Sequence, residues 1–287
     1  MKNVLALELR KAFRNRSFLA VVLIGCVLSL LSAWMCLLQY GQDTYYFQIR
    51  ADSGYLSNPM LEVESFYTYW IVMDSFTLFS SLLFYLLPLF ATLPYAWSYC
   101  QERNRAYERN LVVRCGRYRY YFGKYIAAFL SGGLAVVLPV LLNILVMAMF
   151  LPARTPQVDY TIYYGVSYGD LFSAVFYKYP ALYVVLRVLL IFLFGGLLAV
   201  FGMSVAYFTR NRVAVLVTPF FCCVALQVLG QALYSYMADS ALLSPINFLG
   251  QSGDFSRPLW PALLEGGILL AGTLLLTWMR GRKHEIY

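Results

Sequence analysis

The richest concentration of polar chemistry in this sequence is the stretch Tyr99–Tyr125, YCQERNRAYERNLVVRCGRYRYYFGKY. It carries six arginines, one lysine, two glutamates and seven aromatic residues, and it lies between two long apolar runs. Cations at this density serve membrane orientation, contact with lipid head groups, or the gripping of a cytosolic partner. Three further ionisable residues, Asp74, Arg187 and Glu265, fall inside apolar runs near one end of each. Charges in hydrocarbon are costly and usually pair or line a cavity. The plain expectation is an ion pair between Arg187 and Asp74 or Glu265, and the functional one is a polar patch at an exit site. Cys26, Cys36, Cys222 and Cys223 lie in apolar runs, Cys100 and Cys115 in the cation-rich stretch, and the lone His284 in the tail. Their spacing matches no zinc pattern and no disulfide framework. The nucleotide-cradling pattern G-x-x-x-x-G-K-[ST] is absent from the sequence.

The elements that must position these residues are membrane helices. Of the 287 residues, 61% are hydrophobic and 13% charged, against roughly a quarter charged in soluble domains. Six runs approach the roughly 20 apolar residues needed to cross a bilayer: 17–38, 71–95, 125–151, 181–208, 213–237 and 259–279. Pro88, Pro139 and Pro219 fall within them, which membrane helices tolerate. The fold class expected is all-α: a polytopic membrane protein with six transmembrane helices.

Seventeen of the 22 Lys and Arg residues fall in the N-terminal segment, the second and fourth connections and the tail; four fall in the other three connections. Positive residues stay cytoplasmic, so both termini are expected in the cytosol. Acidic residues such as Asp43, Glu62, Asp159 and Asp254 lean outward. The net charge of +8 therefore reads as a membrane address and not as a footprint for nucleic acid.

Residues 1–16 have helical periodicity, with Leu5, Leu9, Ala12 and Phe13 on one face and Arg10, Lys11 and Arg14 opposite. This predicts an amphipathic interfacial helix facing membrane lipid, ahead of a transmembrane domain spanning 17–287. The stretch 99–124 reads as two helical pieces joined at Gly116. The Tyr-rich segment 152–180 reads as an aromatic belt, with a short helix between Asp170 and Tyr179. Segment 241–258, ALLSPINFLGQSGDFSRP followed by LWP, is too apolar for a free loop, while Pro245 and Gly250 stop it well short of a span. It predicts a re-entrant element on the outer side. Gly195 with Ala199, Gly202 with Ala206 and Gly267 with Ala271 have the small-xxx-small spacing of close helix packing.

This arrangement resembles the permease subunits of ABC-2 type transporters. The resemblance covers nearly the whole chain and rests on the ELRKAFRNRSF entry, the QERNRAYERNLVVRCGRYRYYFGKY connection and LSPINF before the last span. It implies that 99–124 is a cytosolic coupling helix seated on a separate ATPase subunit, with Glu102, Arg103, Arg105, Glu108, Arg109 and Arg114 as candidate contacts. It implies a re-entrant element at Pro245 and Asn247, and a second permease chain, identical or similar, across the pathway. ATP and Mg would sit on the partner ATPase, with no cofactor or metal on this chain and no catalytic residue. The setting implied is a bacterial plasma membrane and the cargo an exported amphipathic molecule, peptide or drug-like or lipid-linked. An ion-coupled transporter built on Asp74, Arg187 and Glu265, and a non-transporting anchor or sensor, are the alternatives. A topology reporter joined after Tyr287 is expected to report the cytosolic side; a periplasmic signal would reverse the orientation.

Overall fold

The computed structural model describes residues 2–52, 65–74, 77–104, 111–113, 115–157, 166, 169–233, 243–250 and 258–282. The fold is all-helical, with no strand among the described residues. In chain order the helices are α1 (Lys2–Phe13), α2 (Arg16–Asp52), α3 (Phe66–Tyr69), α4 (Leu78–Thr92), α5 (Ser98–Asn104), α6 (Arg117–Phe150), α7 (Ser173–Lys178), α8 (Pro180–Val205), α9 (Arg212–Leu233), α10 (Pro245–Leu249) and α11 (Leu259–Arg282).

Five of these, α2, α6, α8, α9 and α11, are long and apolar enough to cross a membrane. The second expected crossing, 71–95, takes a different form. Its helix is only the 15-residue α4, about 22 Å long at 1.5 Å per residue. The sequence before it is a tight turn, with the Met73 N–H donating to Trp70 O at 2.8 Å. Asp74 is the cause. Its Oδ1 accepts from the Thr77 N–H at 3.0 Å and its Oδ2 accepts from the Thr77 hydroxyl, a local arrangement that competes with helix. Thr77 then caps α4 by accepting from the Ser80 N–H.

Trp70, Ile71, Val72, Met73 and Asp74 are buried all the same. Irregular backbone at such depth needs protein partners, and it has them. The Ile71 N–H donates to Asn143 Oδ1 at 2.9 Å, while the Ser80 hydroxyl is within 2.9 Å of both Ile71 O and Asp74 O. The first span also differs from 17–38: α2 runs on to Asp52, through sequence expected to be loop.

Packing centres on α6, whose most extensive contacts are with α8 and α2. At the α6–α8 crossing, a Cβ added to Gly132 would lie 2.3 Å from Ala199 Cβ and 2.7 Å from Ala91 O. Gly195 and Gly196 lie on the opposing face, the latter against the Phe129 ring. The Gly195–Ala199 spacing thus marks a real close approach. On the α2 side Gly25 makes room for the Pro139 ring, the Ser29 hydroxyl donates to Pro139 O at 2.6 Å and Asn143 Nδ2 donates to Ser29 O at 3.1 Å. Gly267, by contrast, faces open space.

Gly132→Ala is therefore expected to destabilise the chain by about 1–3 kcal/mol, the usual cost of overpacking. Gly267→Ala should be neutral or stabilising by up to about 1 kcal/mol, since alanine is the better helix former. Thermal unfolding of the two variants in detergent checks the contrast.

Candidate functional site

Side chains from α1, α5 and α6 close a ring of charge at the cation-rich end of the bundle. Lys124, near the start of α6, is 1% exposed; its Nζ lies 3.1 Å from Glu8 Oε2 and 3.0 Å from Glu102 Oε2. Lys11 Nζ lies 3.1 Å from Glu8 Oε1 and 3.1 Å from Glu102 Oε1. Each lysine bridges both glutamates, so the four charges cancel. The Tyr120 hydroxyl donates to Glu102 Oε2 at 2.6 Å, and the Tyr95 hydroxyl donates to Glu8 Oε2. The rings of Tyr95 and Tyr120 also lie against the Lys124 ammonium, 5.1 and 5.5 Å from centroid to Nζ, close enough for cation–π attraction.

Local sequence explains how α1 reaches this position. Glu8 and Ala12 are fully buried and share one face of α1, with Val4 and Leu5 resting against Gly123 of α6. The helix therefore presents an acidic residue to the bundle on the face that carries Leu5 and Ala12. Asn15 breaks the chain before α2: its Oδ1 accepts from the Ser17 N–H and its Nδ2 donates to Pro94 O at 2.9 Å.

Burial alone would raise the Glu8 carboxyl, but Lys124, the Tyr95 hydroxyl and Lys11 outweigh it and hold the group below its usual 4.5. Burial would likewise lower Lys11, and Glu8 and Glu102 outweigh that to hold it above its usual 10.5.

Helix α5 is folded back onto the bundle. Tyr99 and Cys100 are fully buried, and Tyr99 packs edge-on against Tyr207 at 5.1 Å. Arg103 Nη1 donates to Tyr207 O at 3.1 Å, just beyond the end of α8. Asn104 Nδ2 and the Cys100 thiol donate to Arg210 O at 3.1 and 2.8 Å. Of the six expected partner contacts, Glu102 and Arg103 are thus engaged internally. Arg105, Glu108, Arg109 and Arg114 lie outside the described residues.

The three charges expected within apolar runs, Asp74, Arg187 and Glu265, form no ion pair with one another. Arg187 is 3% exposed, and its two terminal nitrogens donate to Phe248 O at 2.9 Å and Leu249 O at 3.0 Å. It caps α10, whose last carbonyls have no intrahelical donor, and so holds in place the element that starts at Pro245. Ser244 anchors the other end of α10, its hydroxyl donating to Cys223 O at 3.0 Å. Asn247 lies within α10, its N–H donating to Ser244 O at 3.0 Å. Asp74 accepts from the Ser32 hydroxyl at 2.9 Å and from Thr77. Glu265 is 8% exposed and makes no hydrogen bond. Among the described residues no three His, Cys, Asp or Glu side chains gather as a metal site requires.

Sequence reasoning counted Lys11 and Lys124 only as topological cations and passed over Glu8, Tyr95 and Tyr120. The available signal was Glu8 itself, the single acid in a basic helix, sharing a face with Leu5 and Ala12.

Together the five long apolar helices and this placement of charge define an all-helical, multi-pass membrane protein. No family model matches the chain, and neither a curated protein nor a solved structure matches it.

Lys124→Met should cost about 3–5 kcal/mol, because it leaves Lys11 alone to balance the carboxylates of buried Glu8 and partly buried Glu102. Combined with Glu8→Gln it should cost less than the two single changes added, with a coupling of about 0.5–3 kcal/mol in a double-mutant cycle. The pH dependence follows from linkage. Glu8, lowered on folding, contributes fully above 4.5, a contribution lost as pH falls through its folded value. Lys11, raised on folding, contributes fully below 10.5 and loses that contribution as pH rises through its folded value. Unfolding followed against pH should therefore show a plateau between these limits that Lys124→Met lowers.

Proposed function

We propose that this chain is the permease subunit of an ABC exporter, powered by a separate ATPase. The observation that carries the reading is the ring of Glu8, Lys11, Glu102 and Lys124, which ties α1 and α5 to the base of a membrane-spanning helix. A push on the segment after α5 would pass through Glu102 into α6, and through Arg103 into the connection between α8 and α9. A rigid lever of this kind is what an ATP-driven partner needs in order to rock a bundle whose sequence carries no nucleotide loop of its own. The coupling contacts would then come from Arg105, Glu108, Arg109 and Arg114, beyond the inward-turned Glu102 and Arg103. ATP and Mg would be held by the ATPase, and a second permease chain, identical or similar, would complete the pathway. Its place would be a bacterial plasma membrane with both termini in the cytosol. The apolar, aromatic spans suit an amphipathic cargo, peptide or drug-like or lipid-linked.

One observation favours a second reading. Asp74 lies in buried, non-helical backbone between α3 and α4, and interrupted helices are where ion-coupled transporters place their ion sites. A single preparation separates the two. Under the first reading, gentle purification brings down an ATPase, and charge reversal at Arg105 and Arg109 releases it. Transport that persists in vesicles without any ATPase, and is lost in Asp74→Asn, would establish the second.

A further inference from the structure

Glu265 differs from every other buried acid described here. Glu8 and Glu102 face lysines, and Asp74 accepts from Ser32 and Thr77. Both oxygens of Glu265 are enclosed by protein, yet neither has a hydrogen-bond partner, and no lysine or arginine among the described residues forms an ion pair with it. Of the elements packed around it, α9 presents the Cys223 thiol. The arginine of α8, Arg187, is committed to the carbonyls of α10. Helix α6 meets α11 through Tyr125 and Thr273, about two turns along α11 from Glu265. One residue along α11, Gly266 faces the Phe194 ring, which packs 4.9 Å from that of Phe248.

A carboxylate ionised in such surroundings would carry a large desolvation cost with nothing to offset it, whereas a neutral acid carries far less. A proton is the ligand that removes the charge without needing further room. We propose that Glu265 is a proton-binding site inside the bundle, occupied in this arrangement and emptied when α8, α9 and α11 shift to admit water or a donor. The site stands on its own geometry and is independent of whether an ATPase drives the chain.

Infrared spectroscopy of the full chain in lipid nanodiscs tests this. At pH 7 a protonated carboxylic acid gives a carbonyl band above the amide envelope. The band is expected in the unmodified chain, absent in Glu265→Gln and retained in Asp74→Asn. Should Glu265→Gln fail to fold, Glu265→Asp provides the assignment by shifting the band. Absence of the band from the unmodified chain at pH 7 would overturn the proposal. So would a band unchanged in Glu265→Gln, or one that does not move in Glu265→Asp.

Discussion

The architecture of the cation-rich end depends on one neutral cluster of four charges. Glu8 and Lys124 are buried and Glu102 and Lys11 partly so, a costly transfer from water that mutual attraction offsets only if every partner is present at good geometry. Here each oxygen of both carboxylates faces an ammonium, and two tyrosine hydroxyls add hydrogen bonds. Such a cluster adds little to stability relative to an apolar core, but it is intolerant of misplacement. It fixes where α1 lies, where the chain turns after Pro94 and how α5 meets α6, because an error in any of them would leave a buried charge unmatched.

The same logic explains why the two ends of the bundle look different. The cation-rich end is held by ions and a cluster of tyrosines, Tyr99, Tyr120, Tyr121 and Tyr207. The other end is held by hydrogen bonds that satisfy broken backbone: Asn143 to Ile71, Ser80 to Ile71 and Asp74, Arg187 to α10. Between them the bundle relies on close backbone approach, at Gly132 and Gly195 above all.

Much of this was legible in the sequence. Apolar length marked the five long helices together with a sixth run that the fold breaks. The Gly195–Ala199 spacing marked close packing of α8 without naming α6 as its partner, and Pro245 and Gly250 bounded a short segment. What escaped notice was non-local or polar. Hydropathy is blind to Asp74 bonding to Thr77, so 71–95 read as one span. Glu8 and Lys124 are 116 residues apart, and nothing local distinguishes a buried lysine from a topological one. Arg187 was matched to a carboxylate because charge suggests charge, whereas helix-end carbonyls accept equally well in a helical bundle.

The brevity of α4 reaches into the bilayer itself. Leu78, Leu82 and Tyr85 line an outward face of a helix only 15 residues long, whereas the hydrocarbon around it is about 30 Å deep. A helix shorter than the hydrocarbon is accommodated either by bilayer thinning or by flanking segments that complete the depth. Such segments are at hand here: Trp70–Asp74 before α4 is buried and Tyr95 after it bonds to Glu8, so protein continues past both ends of the short helix.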